Sequence, residues 1–365
     1  MSEWQTFCLK DLGKIVGGAT PSTNNPKNYG NKIAWITPKD LSTLQGRYIK
    51  KGSRSISRLG FKSCSCVLLP KHAILFSSRA PIGYVAIAKK RLCTNQDFKS
   101  IIPNKKIYFE FLYYLLKYHK NNFINMGEGT TIKGIYNIAL GLFKVKIPPT
   151  YYEQQKIART LSILDQKIEN NHKINELLHT LAYKIYEYYF KYKPKNAKLE
   201  QIIIENPKSS IMVKNAQKTQ DKYPFFTSGD DILSYPKAII NGRNCFLNTG
   251  GNAGIKFYVG KASYSTDTWC ICANEFSDYL YLLLSNIKTH INQSFFQGTS
   301  LKHLQKNLLK KYPIYMPSAH EIKKFNQIIM PLLTLISINT RTSKKLEQIR
   351  DFLLPLLLKQ QVKPQ

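Results

Sequence analysis

The chain has 365 residues, of which 43% are hydrophobic, so it is long and apolar enough for two or three domains and is not a disordered protein. It carries 54 Lys and Arg residues against 22 Asp and Glu, a formal net charge of +32. Most of this surplus lies in residues 1–150, which favours a polyanionic partner, although a lysine-rich proteome would account for part of it.

Residues 1–149 are predicted to form one mixed α/β domain. Runs of β-branched and aromatic residues between turn residues predict strands, and an amphipathic run predicts a short helix. Residues 44–66 are rich in Lys and Arg, and an insertion relative to a second copy of the domain, described below, lies somewhere within them. The predicted elements are strands at 66–76, 83–89, 93–102 and 142–147 and a helix at 109–119.

Residues 150–193 are predicted to form a long spacer helix, because residues 152–192 contain no Pro or Gly. Apolar residues recur at alternating steps of four and three, the spacing of a coiled-coil seam. A stripe this narrow requires a partner helix. The predicted seam residues are Ile157, Leu161, Leu164, Ile168, Asn171, Leu178 and Ile185.

The second half of the chain repeats the first. Residues 9–16 resemble residues 199–206, and Gly-Thr-Thr-Ile-Lys at 129–133 matches Gly-Thr-Ser-Leu-Lys at 298–302. Matches whose offsets drift only by loop-sized steps indicate an internal duplication. Residues 194–317 are therefore a second mixed α/β domain, with strands predicted at 245–248, 255–259 and 269–273 and a helix at 278–292.

Residues 318–365 are predicted to supply the partner helix. Aligning Glu321 with Glu153 superimposes the two apolar stripes. We expect an antiparallel pair in which Asn171 faces Asn339; the alternative is that each helix packs separately on its own neighbours. Pro331 and Pro355 predict a kinked or shorter second helix. Its predicted seam residues are Phe325, Ile329, Leu332, Ile336, Asn339, Leu346 and Leu353.

No catalytic site can be assembled from the sequence. It contains neither a phosphate-binding loop nor the tetrad that methyltransferases use on a flipped base. The seven cysteines lack the spacing of metal ligands, and free thiols in a reducing cytoplasm explain them. The N-terminus shows no signal peptide, and no apolar stretch is long enough to cross a bilayer. We therefore expect a cytoplasmic protein without catalytic residues, metal or cofactor.

Short polar side chains and cations occupy the loops that bound the strands, in the same places in both copies. Such groups bind phosphates and base edges in DNA, although Ser, Thr, Asn and Gly are also ordinary turn residues. The candidate DNA-binding residues of the first domain are Ser22, Thr23, Thr37, Lys39, Arg54, Arg58, Ser77, Ser78, Arg79, Asn95, Gln96, Thr130, Thr131 and Lys133. Those of the second domain are Thr227, Ser228, Asn248, Thr249, Thr266, Thr268, Thr299, Ser300 and Lys302.

Several motifs resemble those of the DNA specificity subunits of type I restriction-modification systems, and the resemblance covers nearly the whole chain. Of the Pro-Pro and Glu-Gln-Gln signature, the second copy keeps only Pro317, Glu321 and the heptads. The motifs are Trp-Ile-Thr-Pro-Lys-Asp-Leu at 35–41, Ser-Ser-Arg-Ala-Pro-Ile-Gly at 77–83, Thr-Asn-Gln-Asp-Phe at 94–98, Ile-Pro-Pro at 147–149, Glu-Gln-Gln-Lys-Ile-Ala at 153–158 and Leu-Asp-Gln-Lys-Ile at 164–168.

The resemblance implies an α+β fold: two mixed α/β target-recognition domains, separated by two long helices that form an antiparallel coiled coil, with an internal pseudo-two-fold repeat. It implies a non-catalytic chain in which each domain reads half of a bipartite double-stranded DNA site. Two modification (methyltransferase) subunits would dock on the helices, bringing S-adenosylmethionine, and restriction subunits would join them. Two alternatives remain open: a stand-alone nuclease or methyltransferase, and an RNA-binding coiled-coil scaffold.

Overall fold

A computed structural model describes residues 3–129, 133–216 and 222–364. The chain forms two compact units, one made of Met1–Glu169 with Ile349–Gln365 and the other of Asn170–Gln348. Each unit contains one globular domain and a part of both long helices, so the predicted boundaries at 149, 193 and 317 stay a prediction. No helix within the described ranges is both long and apolar enough to cross a membrane.

The globular part of the first unit is built on three sheets. A five-stranded sheet has the order β2-β9-β6-β7-β4, a three-stranded sheet has the order β5-β3-β8, and β1 pairs with β10. Its strands are β1 (Gln5–Cys8), β2 (Gly13–Gly17), β3 (Tyr29–Ile36), β4 (Tyr48–Ile49), β5 (Arg54–Ile56), β6 (Ile74–Phe76), β7 (Val85–Ala88), β8 (Cys93–Thr94), β9 (Lys99–Pro103) and β10 (Lys144–Ile147). Its helices are α1 (Leu9–Leu12), α2 (Pro38–Ser42), α3 (Arg58–Lys62), α4 (Phe109–Tyr118), α5 (Lys120–Asn125) and α6 (Asn137–Leu142), with a 3₁₀ turn at Pro26–Asn28.

The first long helix, α7 (Tyr151–Tyr186), continues as a π-helical turn at Glu187–Lys191. Its first turns share one core with the globular part, because Ile157 and Leu161 are buried in the same cluster as Ile74 of β6 and Phe111 of α4. Burial of this apolar stripe fixes the helix to the domain that precedes it.

The second unit repeats these sheets. Its four-stranded sheet has the order β12-β18-β15-β16, its three-stranded sheet the order β14-β13-β17, and two pairs are β11-β21 and β19-β20. Its strands are β11 (Ala197–Lys198), β12 (Ile204–Glu205), β13 (Tyr223–Phe226), β14 (Leu233–Tyr235), β15 (Arg243–Asn248), β16 (Ile255–Val259), β17 (Ser263–Tyr264), β18 (Thr268–Cys272), β19 (Phe296–Gln297), β20 (His303–Leu304) and β21 (Pro313–Ile314). Its helices are α8 (Ser277–Asn286), α9 (Lys288–Ser294), α10 (Lys306–Lys310) and, shared with the first unit, α11 (Ala319–Leu358), with 3₁₀ turns at Leu199–Gln201, Val213–Asn215 and Asn274–Phe276.

The strand orders confirm the internal duplication. The order β12-β18-β15-β16 copies β2-β9-β6-β7, and β14-β13-β17 copies β5-β3-β8. Even the direction is kept, since β13 pairs with β17 in parallel, as β3 does with β8. Within the described residues, β4 and α3 have no counterpart in the second unit, and both lie in the predicted insertion at 44–66.

Some predicted elements are wrong in extent. The predicted strand at 66–76 is regular only at Ile74–Phe76, after a turn in which His72 has a φ of 70°. The predicted strand at 93–102 is interrupted because Asn95 accepts a hydrogen bond from the backbone of Asp97, which forms a turn. The predicted helix at 278–292 divides into α8 and α9 at Ile287, where ψ reaches 13°.

The two long helices are antiparallel. In the second unit Asn171 bonds to Ser343 and Asn175 to Asn339, so residue numbers rise along α7 while they fall along α11. The expected contact between Asn171 and Asn339 is therefore wrong by about one helical turn. The second helix is not appreciably shorter: α11 has 40 residues and runs through Pro331 and Pro355, and α7 has 36 residues followed by the five of its π-helical turn. The alternative, a kink at the two prolines, stays a prediction.

Every predicted seam residue is at least partly buried, although a continuous seam stays a prediction. The pattern missed further buried positions, including Ala158, Leu333 and Leu354. Ile157, Leu161, Ile168, Asn171, Phe325, Ile329 and Ile336 are buried, and Leu164, Leu178, Ile185, Leu332, Asn339, Leu346 and Leu353 are half-buried.

Candidate nucleic-acid interface

Loops from distant parts of the first domain meet at one edge of its sheets. The backbone N–H of Asn95 donates to the carbonyl of Ile36 at 3.0 Å, which joins the 94–97 loop to the end of β3. The N–H of Ser78 donates to Asp97 at 2.8 Å, and the carbonyl of Ser78 accepts from Ile135 at 2.9 Å. Four of the loops chosen from sequence therefore form one surface.

The second domain brings the equivalent loops together. Ser265 donates its N–H to the carbonyl of Phe226 at 2.9 Å, and Thr249 donates to Asp267 at 3.2 Å. The N–H of Leu304 then donates to Thr249 at 3.0 Å. The same pattern of backbone bonds therefore supports a loop surface in both domains.

The strand registers identify the equivalent residues of these loops. Thr94 pairs with Ile36 in the first domain, and Tyr264 pairs with Phe226 in the second. Asp97 is consequently equivalent to Asp267. Both aspartates carry the carbonyl that receives the neighbouring loop, and sequence reasoning had given neither a role.

Three candidate residues of the first domain are buried and bonded inside the fold. The hydroxyl of Ser77 donates to the carbonyl of Pro81 at 2.7 Å, and that of Ser78 donates to the carbonyl of Asp97 at 3.0 Å. The amide of Asn95 donates to the Asp97 carboxylate at 2.6 Å. These side chains therefore hold the loops together, and their contact with DNA stays a prediction.

Three candidate residues of the second domain are likewise bonded inside the fold. Thr227 accepts a hydrogen bond from the N–H of Gly229 at 3.0 Å, and the hydroxyl of Thr268 donates to Phe226 at 3.3 Å. The amide of Asn248 donates to the carbonyl of Asn252 at 3.1 Å. All three side chains are buried and shape the loops, and their contact with DNA stays a prediction.

The other described candidates are accessible to a partner. Thr130 and Thr131 lie outside the described residues. The exposed candidates are Ser22, Thr23, Lys39, Arg54, Arg58, Gln96, Lys133, Thr266, Thr299, Ser300 and Lys302, and the partly exposed ones are Thr37, Arg79, Ser228 and Thr249.

Arg79 is held in place by Asp97. Its Nε donates to one carboxylate oxygen, while Asn95 donates to the other at 2.6 Å. The Arg79 side chain stays 42% exposed and that of Asp97 only 17%, so the guanidinium is fixed at one end and open at the other. The backbone bridges place Gly250 at the equivalent position of the second domain. The two surfaces therefore offer different chemistry.

The insertion of the first domain adds further cations. Arg54 lies over the ring of Tyr29, 5.0 Å from its centre, and Arg58 is exposed on α3. Asp40 anchors the nearby α2, since it accepts hydrogen bonds from the Thr37 backbone and hydroxyl, both at 2.8 Å. Although burial opposes it, hydrogen bonding from Ser53 and Thr37 lowers the pKa of Asp40, which keeps this cap ionised.

A second surface lies on the first turns of α7. Gln154 is buried, accepting from the N–H of Tyr108 at 2.7 Å and donating to the carbonyl of Lys106 at 3.0 Å. On the neighbouring face, Tyr152 is 64% exposed. A groove of about 860 Å³ opens there, lined by Tyr108, Glu110, Tyr152, Gln155, Lys156, Arg159, Thr160, Ser162, Ile163 and Gln166.

Residues 1–180 and 195–348 match the family model of the type I restriction modification DNA specificity domain. The chain belongs to this family. It is 31% identical to the type I restriction enzyme MjaIX specificity subunit of Methanocaldococcus jannaschii, an alignment that covers 98% of this chain and 93% of that protein. A putative type I specificity subunit of Mycoplasma genitalium is 24% identical over 72% of this chain and 64% of its own.

A solved structure agrees on the fold. The crystal structure of a type I restriction-modification S subunit from M. genitalium has a TM-score of 0.63 with this chain, at 18% identity, covering 97% of this chain and 96% of that one. Each of the two segments that match the family model contains one of the two loop surfaces, so each half of the duplication carries one such surface.

Proposed function

We propose that this chain is the DNA-recognition subunit of a type I restriction-modification complex and reads a bipartite double-stranded site. The observation that supports this most strongly is the repetition of one loop surface in two domains of a strongly basic DNA-specificity protein. In this proposal residues 1–149 and 194–317 are the two target-recognition domains, and residues 150–193 and 318–365 form the spacer.

The exposed side chains divide into two kinds of contact. Lysines and arginines at the rim, such as Lys39, Arg58 and Lys302, suit phosphate oxygens, which position the protein without reading sequence. Gln96 and Thr266, at equivalent places in the two loop surfaces, suit base edges in the major groove. Because phosphate contacts release counterions, affinity falls steeply as salt concentration rises.

We propose that the chain has no catalytic residue and no cofactor of its own. Modification would be performed by two methyltransferase subunits that bring S-adenosylmethionine, and cleavage by restriction subunits, in the cytoplasm. The groove beside Tyr152 and Gln155 is the docking surface we propose for one methyltransferase. In the second unit Arg243 bonds to Asp278, Thr334 and Met330, the residues equivalent to Glu110, Gln166 and Ser162 of this groove, so the second docking surface differs.

Sequencing of modified bases tests the proposal. Genomes of a host with and without this chain should differ by one bipartite methylated motif, and loss of an unsplit motif or no loss would contradict the proposal. A mobility-shift comparison of that duplex with RNA of the same sequence separates DNA recognition from an RNA-binding scaffold. Methylation or cleavage by the chain purified without partners would favour the enzyme alternative.

A further inference from the structure

In each unit one arginine joins the globular domain to the long helices, and this arginine is buried in the first unit and half-buried in the second. In the first unit Arg47, whose side chain is 4% exposed, donates from Nη1 to Glu110 of α4 at 3.0 Å. It also donates from Nε to Glu169 of α7 at 3.1 Å, and its backbone N–H binds the same carboxylate at 2.9 Å. We name Arg47, Glu110 and Glu169 the first clamp.

The first clamp is part of a larger buried network. The hydroxyl of Tyr108 donates to Glu110 at 3.0 Å. Beside Arg47, Asp165 of α7 accepts from the hydroxyl of Tyr114 at 2.5 Å and from Arg350 of α11 at 2.7 Å. Hydrogen bonds of charged side chains therefore connect the three helices α4, α7 and α11. These bonds form only in particular directions, whereas apolar packing has no such requirement.

The second unit has its own clamp, formed by Arg243, Asp278 and Thr334. The guanidinium of Arg243 makes two hydrogen bonds to Asp278 of α8. It then reaches α11, donating to the Thr334 hydroxyl at 3.0 Å and to the Met330 carbonyl at 3.2 Å. Nearby, the N–H of Val259 donates to the Ser337 hydroxyl at 3.0 Å.

The duplication makes this recurrence informative. With Glu153 aligned on Glu321, Glu110 falls on Asp278 and Glu169 falls on Ser337. The arginines do not correspond, because Arg47 precedes β4 in the insertion whereas Arg243 begins β15. In both domains an arginine therefore connects the same acidic position to a long helix, but the two arginines come from unrelated places in the chain. Duplication of a single ancestral arginine does not explain this.

We propose that Arg47 and Arg243 are positioning residues that hold each recognition domain at a fixed angle on the long helices and thereby set how strictly the spacer length between half-sites is read. This inference rests on the proposed function. A reader of two separated half-sites rejects a spacer that is one base pair too long or short only if its domains resist rotation. A guanidinium that is bonded on both sides supplies that resistance: Arg47 lies between two carboxylates, and Arg243 lies between Asp278 and two oxygens of α11. A lysine ammonium supplies less of it, because its donors are not held in a fixed plane.

The test measures spacer tolerance in the complete complex with its methyltransferase subunits. The motif is taken from the modified-base sequence of a host carrying the wild-type chain, and duplexes are made with that spacer and with one base pair more or fewer. Variants Arg47→Ala, Arg47→Lys and Arg243→Ala are compared with the wild type. Arg91→Ala, which removes an exposed arginine outside both clamps, is the matched control.

We expect the wild type and Arg91→Ala to discriminate sharply against altered spacers. In each clamp variant the ratio of affinities for the correct and altered spacers should fall about fivefold or more, with Arg47→Lys intermediate. A loss of folded protein alone lowers binding to every duplex equally and leaves this ratio unchanged, so an unchanged ratio overturns the inference. Arg243→Ala and Arg47→Lys provide the ratio if Arg47→Ala does not fold. A wild-type chain that yields no bipartite motif overturns the proposed function itself.

Discussion

Asn171 donates a hydrogen bond from Nδ2 to the Oγ of Ser343, 3.1 Å away, between two antiparallel helices. Both side chains are buried. One turn away, Asn339 donates to Asn175 at 3.0 Å. These four residues form a polar layer between the two helices, and polar groups at such positions fix which residues of two helices face each other.

A double-mutant cycle on Asn171 and Ser343 should detect this bond. Each alanine variant also loses packing, but the pair bonds directly, so the two effects should not add. We expect a coupling energy of about 1 kcal/mol from denaturant unfolding of the wild type, both single variants and the double variant. A cycle on Asn171 and the exposed Glu176 is the control and should show no coupling.

Glu321 should make the start of α11 sensitive to acid. Hydrogen bonds from the Ser318 backbone and the Tyr315 hydroxyl lower the pKa of Glu321 to about 2. Because the folded-state pKa lies below the unfolded value of about 4.3, its contribution is complete above pH 5 and is lost as pH falls toward 2. Glu321→Gln should cost about 1 kcal/mol at pH 7 and progressively less on acidification.

Denaturant midpoints between pH 7 and pH 3 measure this effect. Glu347→Gln is the matched control, since it removes another glutamate of α11, one that forms a surface pair with Lys344 at 3.9 Å. An equal loss for Glu321→Gln at both ends of the pH range would contradict an ionised cap.

Periodicity predicted the long helices well, because an alternating step of four and three identifies a helix by its buried side alone. Periodicity could not predict which residue of α11 faces Asn171, because sliding one helix along the other by about one turn leaves the same two faces in contact. Duplication predicted the repeated sheets, because equivalent residues kept the same spacing between turns. The sequence therefore contained the elements and their repetition but not the alignment of one helix on the other.

The sequence could not show which candidate side chains of the interface are buried, for a different reason. A serine that bonds inside a loop, such as Ser78, has the same residue type as one that faces DNA, and only its partner at Asp97 distinguishes them. Arg47 belonged to a basic stretch and resembled a surface cation. Its acidic partners Glu110 and Glu169 lie 63 and 122 residues away in sequence, so no local pattern could reveal them.

Arg350→Ala should destabilise the first unit substantially. Its guanidinium is the partner on α11 of buried Asp165, at 2.7 Å. Removing the cation leaves a buried carboxylate poorly compensated, which costs about 3 kcal/mol in comparable pairs. Thermal unfolding should show the loss, while Lys359→Ala, an exposed cation near the end of the same helix, should be nearly neutral. A neutral Arg350 variant would contradict a role for this pair in stability.

Arg79→Ala should affect the first half-site alone. Its exposed guanidinium lies on the loop surface of the first domain, and the equivalent residue of the second domain is Gly250. We expect footprinting to show weakened or relaxed reading of one half-site, with the other unchanged. A change confined to one base pair would indicate base contact, and a uniform loss within that half-site would indicate phosphate contact. An effect on both half-sites would contradict the separate roles of the domains.

Lengthening both long helices by one heptad should change the spacer and leave both half-site sequences unaltered. A heptad preserves the buried face of each helix, because the apolar stripe repeats every seven residues. Seven residues add about 10 Å at 1.5 Å per residue, which corresponds to about three base pairs at 3.4 Å each. Insertions after Glu169 in α7 and Gln348 in α11 fall where the two compact units divide. Modified-base sequencing should then recover the original half-sites around a longer spacer, and insertion into α7 alone should abolish modification because the helices no longer match. Altered half-sites in the double insertion would show that the helices contribute to reading sequence rather than spacing.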